Sequence, residues 1–180
     1  MPRLFAVMLG GNCAPHSNTE LHDVVFAVGD RLEDTYPQLL ELWFGTPEGL
    51  HIDSWLELRV IDGHRIVLEL DATDCDRRLY FINLGGYRDG DFAEHHANAF
   101  LVADDEQEAK LRAKSTLLRG FQSVHTDDLY EVDDILQIKE VGGWHVCLEP
   151  CDEPPRLEPI NGYLPLPEEL IAAYARRHQS

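Results

Sequence analysis

Basic residues are scarce in this chain: 15 Lys+Arg stand against 33 Asp+Glu in 180 residues, a formal net charge of −18. That deficit excludes a general DNA or RNA backbone binder, which needs a basic surface to displace counterions from phosphate. It also sets the chain against anionic lipid surfaces. No run approaches 18 apolar residues, so no membrane-spanning helix is expected. The four cysteines, Cys13, Cys75, Cys147 and Cys151, contain no C-x-x-C pair; they suit neither a disulfide framework nor a zinc ribbon. Residues 1–3 lead straight into a strand-like segment without the regions of a signal peptide. A reducing, cytoplasmic setting is the expectation. Glycine-rich nucleotide loops and the G-x-S-x-G elbow of serine hydrolases are absent too. What is present is 44% hydrophobic residues, with three Trp, six Tyr and seven Phe, enough for a sizeable core.

The strongest positive signal is an internal repeat. Residues 4–11 read LFAVMLGG and residues 79–86 read LYFINLGG. At an offset of 74, Glu20, His22, Phe26, Val28 and Asp30 fall on Glu94, His96, Phe100, Val102 and Asp104, and His51 and Asp53 fall on His125 and Asp127. Six extra residues, 129–134, then move the offset to 80, where Leu56, Leu58, Gly63 and Leu68 meet Leu136, Ile138, Gly143 and Leu148.

Each copy has the same order of periodic segments. An apolar run closed by two glycines reads as a buried strand, and a second strand follows at 24–28. From Leu32 the period becomes helical through Tyr36, Leu39, Leu40, Trp43 and Phe44, with Asp30 as N-cap, Glu33 at the third position and Gly45 as stop. Pro37 sits badly in that helix. The second copy lacks it and runs from Asp104 or Asp105 to Gly120. Two alternating runs joined by Asp62-Gly63, and again by Gly142-Gly143, predict hairpins.

The expected class is α+β: two tandem β-β-α-β-β repeats, each a four-stranded, mostly antiparallel sheet with one packed helix in a grasp-like or roll-like arrangement, plus a C-terminal helix. The repeats are placed at 1–70 and 79–149, joined by a polar linker. A Pro-rich extension at 150–180 ends in a helix from Pro167 to Arg177, with Leu170, Ile171, Ala173 and Tyr174 as its apolar stripe.

On the segments LGG, Glu20-Leu21-His22-Asp23, Asp34-Thr35-Tyr36-Pro37, Trp43-Phe44-Gly45, Leu50-His51-Ile52-Asp53-Ser54, Asn83-Leu84-Gly85-Gly86-Tyr87 and Asp127-Asp128-Leu129-Tyr130, the chain resembles the bacterial DUF1543 family over residues 4–148. The resemblance implies a bacterial source, one or two copies of this unit and an unassigned role; it carries no catalytic residues across.

Two polar clusters survive in both copies: Glu20-x-His22 with His51-x-Asp53, and Glu94-x-His96 with His125-x-Asp127. Imidazole with carboxylate suits zinc or non-haem iron if the groups converge, and His22, His51, His96 and His125 are the candidate metal ligands. The structural alternative has these histidines capping strand ends through backbone hydrogen bonds. The pairs Gly10-Gly11 and Gly85-Gly86 read as sites of positive φ or close backbone approach rather than phosphate loops, because a strand and not a helix follows. The acidic set Asp127, Asp128, Glu131, Asp133 and Asp134 lacks the glycine and terminal glutamate of a calcium loop, and Cys147 with Cys151 and His145 reads as strand rather than metal ligand.

The favoured reading is a non-enzymatic ligand- or protein-binding scaffold whose paired clusters shape a groove, with a homo-oligomer or a basic protein as partner. The alternative is a small metal-dependent, hydrolase-like enzyme using the same clusters. No cofactor is specified by the sequence. The two readings part on whether the histidine and carboxylate atoms meet around one point.

Overall fold

A computed structural model describes residues 1–13, 17–72, 76–87, 90–92, 94–117 and 132–178. The chain is α+β, with antiparallel sheets, few helices and one C-terminal helix, as the repeat predicts. By contact it divides into two compact units, Met1–Val60 with Val141–Trp144 and Pro155–Ser180, and Ile61–Glu140 with His145–Pro154.

In the first unit, β1 (Arg3–Gly11) pairs antiparallel with β2 (Leu21–Gly29) on one side and β3 (His51–Glu57) on the other. Nearly every residue of β1 is buried, which is why its sequence is a continuous apolar run rather than an alternation. Between β2 and β3 the chain makes a 3-10 turn at Leu32–Thr35 and then α1 (Tyr36–Leu42). This resolves Pro37: the helix begins just before it, so the proline stands in the first turn, where its missing N–H is no loss. The cap also differs from expectation. Asp34 accepts from the N–H of Arg31 across the turn, whereas Asp30 lies beside the Met1 amine. The helix stops at Leu42, because Trp43 turns extended to bury its ring while Phe44 stays exposed.

The core of this unit lies under one sheet face. Phe5, Val7, Leu9, Val25 and Ile52 pack there against Leu39, Leu40 and Trp43. The fourth strand of the sheet is not the hairpin that follows β3. It comes from the extension, whose β11 (Ile160–Pro165) pairs with β3, giving the order β11-β3-β1-β2. Leu166 is buried in the same core, and α3 (Glu168–His178) lays Leu170, Ile171 and Tyr174 on it.

In the second unit, β6 (Arg78–Tyr87) pairs antiparallel with β7 (Glu94–Ala103) and with β8 (Val132–Gln137) in a three-stranded sheet. α2 (Glu106–Leu117) packs its small residues Ala109 and Ala113 against Tyr80, Ile82 and Leu84. Its first turn is closed reciprocally: the N–H of Glu108 donates to Asp105 Oδ1 and the N–H of Asp104 donates to Glu108 Oε2, each at 2.8 Å. Asp105→Ala removes one of these bonds and is expected to cost about 0.5–2 kcal/mol, read as a lowered thermal midpoint. The predicted helix end at Gly120 lies outside the described residues.

Each repeat ends in a hairpin: β4 (Val60–Ile61) with β5 (His64–Glu69), and β9 (Glu140–Val141) with β10 (Trp144–Pro150). Asp62 and Gly63, and Gly142 and Gly143, all have positive φ, the geometry that makes Asp-Gly and Gly-Gly hairpin signals. β5 does not extend its own repeat's sheet; it pairs antiparallel with β10. The chain leaves the sheet after β3 at Leu58, whose N–H still reaches the Leu4 carbonyl, and Arg59 beyond it is exposed. No helix among the described residues is long and apolar enough to cross a membrane.

Candidate functional site

The strand register places the first cluster. His22 stands opposite Gly10 in the β1–β2 pair, and His51 stands opposite the same Gly10 in the β1–β3 pair. Directly opposed residues share a face, so two imidazoles flank a residue with no side chain. The space they need exists only because position 10 is glycine. A Cβ there would lie 2.5 Å from both Asp53 Oδ2 and His51 Nε2. The predicted close approach is therefore found, but inside a strand and at negative φ rather than in a turn.

Asp53 reaches this face through a bulge. β1–β3 pairing steps from Leu9↔Ile52 to Met8↔Ser54, leaving Asp53 as the extra residue. Glu20 completes the group from the position before β2. The four side chains form a ring that alternates imidazole and carboxylate. His22 Nε2 is 3.0 Å from Asp53 Oδ2, His51 Nε2 is 3.4 Å from Asp53 Oδ1 and 3.1 Å from Glu20 Oε1, and His22 Nε2 is 3.8 Å from Glu20 Oε2. Each carboxylate thus spans the two rings with separate oxygens.

His51 is the fixed point of the ring, only 1% exposed. Its Nδ1 lies 2.9 Å from the Gly49 carbonyl oxygen. A carbonyl only accepts, so Nδ1 carries the proton and in the neutral ring Nε2 presents a lone pair. Neither His51 Nε2 nor Asp53 Oδ2 has a hydrogen bond of acceptable direction among the described residues, although oxygen and nitrogen atoms stand close by. The backbone contact expected of a structural histidine is there at Nδ1. Nε2 is left over, and it points into the carboxylates.

Four donors bonded to one tetrahedral ion at about 2.0–2.2 Å stand about 3.3–3.6 Å apart, the range the ring's edges bracket. As the side chains stand, no three His, Cys, Asp or Glu among the described residues form a ready metal centre. Closing the ring on an ion would require rotation of His22 and Glu20, which at 47% and 45% side-chain exposure have room to turn. The ring of Tyr163 lies against that of His51, with centroids 4.3 Å apart. Tyr163 gets there because β11 shifts register between Asn161 and Leu164. Sequence reading missed Tyr163, Gly49 and the role of Gly10; a glycine inside a strand was the available signal for the last.

The second copy is built differently. Gly85 stands opposite His96 as Gly10 does opposite His22, and His96 Nε2 is 3.9 Å from Glu94. His96 Nδ1, however, is 3.0 Å from Asn83 Oδ1, at the place held in the first copy by Met8. His95 Nε2 is engaged with Asp91 at 2.8 Å. His125 and Asp127, together with Asp128 and Glu131, lie outside the described residues. The register of β8 fixes the alignment of the two copies where the strand is described. Val132 pairs with Leu84 as Ile52 pairs with Leu9, and Asp134 with Asn83 as Ser54 with Met8, so β8 already stands at an offset of 80. The six extra residues therefore do not include Val132–Asp134. Cys147 is buried in β10, and Cys13 and Cys151 are free thiols.

Elsewhere in the first unit a cleft of about 330 Å³ is lined by Phe5 and Trp55 together with Arg3, Arg31, Arg59 and Arg156. Those guanidiniums are already matched: Arg3 and Arg59 with Glu57, Arg31 with Asp34, Arg156 with Glu158. It offers a ligand less than the ring of His and carboxylate.

A family model described as Domain of Unknown Function (DUF1543) matches residues 17–68 and 91–148, one segment in each repeat. No curated protein matches. Among solved structures, the crystal structure of protein Il1583 from Idiomarina loihiensis is similar, with 38% sequence identity over 93% of this chain and 99% of that one, and a TM-score of 0.74.

Proposed function

The chain belongs to the DUF1543 family, a family described as a domain of unknown function, and from the geometry of its first repeat we propose that it is a binding protein whose ligand is a divalent transition-metal ion. The donors are His22, His51, Asp53 and Glu20. The observation that carries this reading is the buried His51 Nε2, without a hydrogen bond and set 3.1 and 3.4 Å from two carboxylate oxygens. A buried polar atom left unpaired costs about 1–3 kcal/mol, and a lone pair facing carboxylates adds repulsion. A cation at their centre removes both penalties. The Gly49 carbonyl supports the same role, because an imidazole that ligates through one nitrogen commonly donates from the other to fix its tautomer. Nitrogen and carboxylate oxygen donors in equal number suit zinc, iron or manganese better than calcium or magnesium.

Elemental analysis of untagged protein, purified without chelator, tests the proposal. Wild type is expected to carry close to one equivalent of zinc, iron or manganese. His51→Ala should lose it, whereas His96→Ala should keep it, since His96 is already engaged with Asn83. Wild type that is metal-free and stays so after incubation with each ion removes the proposal and makes the histidines structural.

A further inference from the structure

We propose that Glu20 is the exchangeable donor of this site, and that its position is where the bound ion accepts a small exogenous monoanion, a carboxylate or a comparable oxyanion. This rests on the metal-binding reading above. His22 and His51 face Gly10 from paired positions of the ladder, and Asp53, the bulge residue, is held between the paired Ile52 and Ser54. Glu20 is not so placed. The last pair of the β1–β2 ladder is Leu21↔Gly11, and Glu20 lies one residue beyond it in a stretch without strand pairing.

Its contacts agree with its placement. The polar partners of the Glu20 carboxylate among the described residues are the two imidazoles, at 3.1 and 3.8 Å, the second being the longest edge of the ring. Its side chain is 45% exposed, close to the 47% of His22 and above the 30% of Asp53 and 2% of His51, but unlike His22 it stands outside the strand ladder. A donor on an unpaired segment is held less firmly than donors on strands. The floor of the site is closed by the Gly10 backbone and one wall by the Tyr163 ring, so the accessible approach is from the side where Glu20 and His22 meet solvent.

Charge selects the class of incoming ligand. A divalent ion with Asp53 and Glu20 bound is electrically neutral, and exchanging the bound Glu20 carboxylate for another monoanion, while Glu20 swings to solvent, keeps the coordination sphere so. A neutral molecule would leave an uncompensated charge. A polyanion would add one, against a chain whose net charge is −18. Small carboxylates reproduce the oxygen donors they displace.

Cobalt(II), whose visible absorption reports coordination number, is the probe. Wild type, Glu20→Ala, Glu20→Gln and His51→Ala are loaded with cobalt and titrated with azide and with acetate. The expected result is that both Glu20 variants keep cobalt with affinity reduced by no more than about tenfold, whereas His51→Ala loses about a hundredfold or more. Azide should shift the wild-type spectrum, and acetate should return the Glu20→Ala spectrum to that of wild type. If wild type binds cobalt but azide leaves its spectrum unchanged, the exchange proposal is overturned while metal binding stands. The same follows if both Glu20 variants lose cobalt as fully as His51→Ala and acetate restores none. If wild type takes up no cobalt, the metal-binding reading falls and this inference falls with it.

Discussion

Gly10→Ala is expected to abolish metal binding while leaving the sheet intact. The added Cβ would stand 2.5 Å from Asp53 Oδ2 and His51 Nε2, well inside contact distance, so both donors must move. Binding sites tolerate displacements of only about 0.5 Å, and a loss of about a hundredfold or more in affinity for zinc or cobalt follows. The backbone does not object: Gly10 lies in a strand at negative φ, where alanine is unstrained and loses less entropy on folding than glycine. Asp53 can turn toward the half-exposed His22 and Glu20, but His51 is buried and held at Nδ1 by the Gly49 carbonyl. Thermal stability measured in the presence of chelator should therefore fall as well, by about 1–3 kcal/mol. Gly11→Ala gives a different pattern. Its Cβ would meet the buried Trp43 ring at 3.0 Å, so it should lower stability by about 1–3 kcal/mol and leave the ion in place. Calorimetric titration and thermal unfolding of both variants separate the two effects, and a Gly10→Ala protein that binds like wild type would show that the ring does not hold the ion.

The parts of this molecule legible in its sequence are those decided by neighbouring residues. Asp62-Gly63 and Gly142-Gly143 announce hairpins because positive φ is a local demand, and both are met. The duplication reads directly, since each copy must bury the same strands. Of the two starts the sequence leaves open for α2, Asp104 and Asp105, it is Asp105 that caps the first turn, closed reciprocally by Glu108. What the sequence hid depends on register between distant strands. Alternation along β3 cannot show that Asp53 is a bulge residue, because that is settled only when Ile52 and Ser54 meet Leu9 and Met8. For the same reason apolar spacing cannot show that β8 already stands at an offset of 80 from Val132. That Gly10 makes room between His22 and His51 emerges only from two ladders at once. In α1 the proline looked like a fault because the 3-10 turn ahead of it has no signature of its own in the apolar spacing.

The extension bears on both folding and site, and a chain ending at Cys151 is expected to lose cooperative unfolding altogether. Removing residues 152–180 strips Leu164, Leu166, Leu170, Ile171 and Tyr174 from the first-unit core. Full burial of an aliphatic side chain contributes about 1.5–3 kcal/mol. Leu166 is 3% exposed and the other four are partly buried, so the loss is on the order of 5 kcal/mol or more, comparable with the whole stability of a marginal domain. The backbone loses as well. β3 gives up its β11 partner along Ile52, Ser54 and Trp55, and the Leu50 carbonyl loses the N–H of Leu166. His51 lies on that strand and loses the Tyr163 ring, so metal binding should disappear with the fold rather than before it. Leu166→Ala in the full chain keeps β11 in place and isolates the packing effect: a loss of about 2–5 kcal/mol is expected from a buried Leu→Ala change, with one equivalent of metal retained in the folded fraction. Denaturant titrations of the three proteins distinguish these outcomes. A truncated chain that unfolds at the wild-type midpoint would make the extension peripheral, leaving His51 to be held by β1 and the Gly49 carbonyl alone.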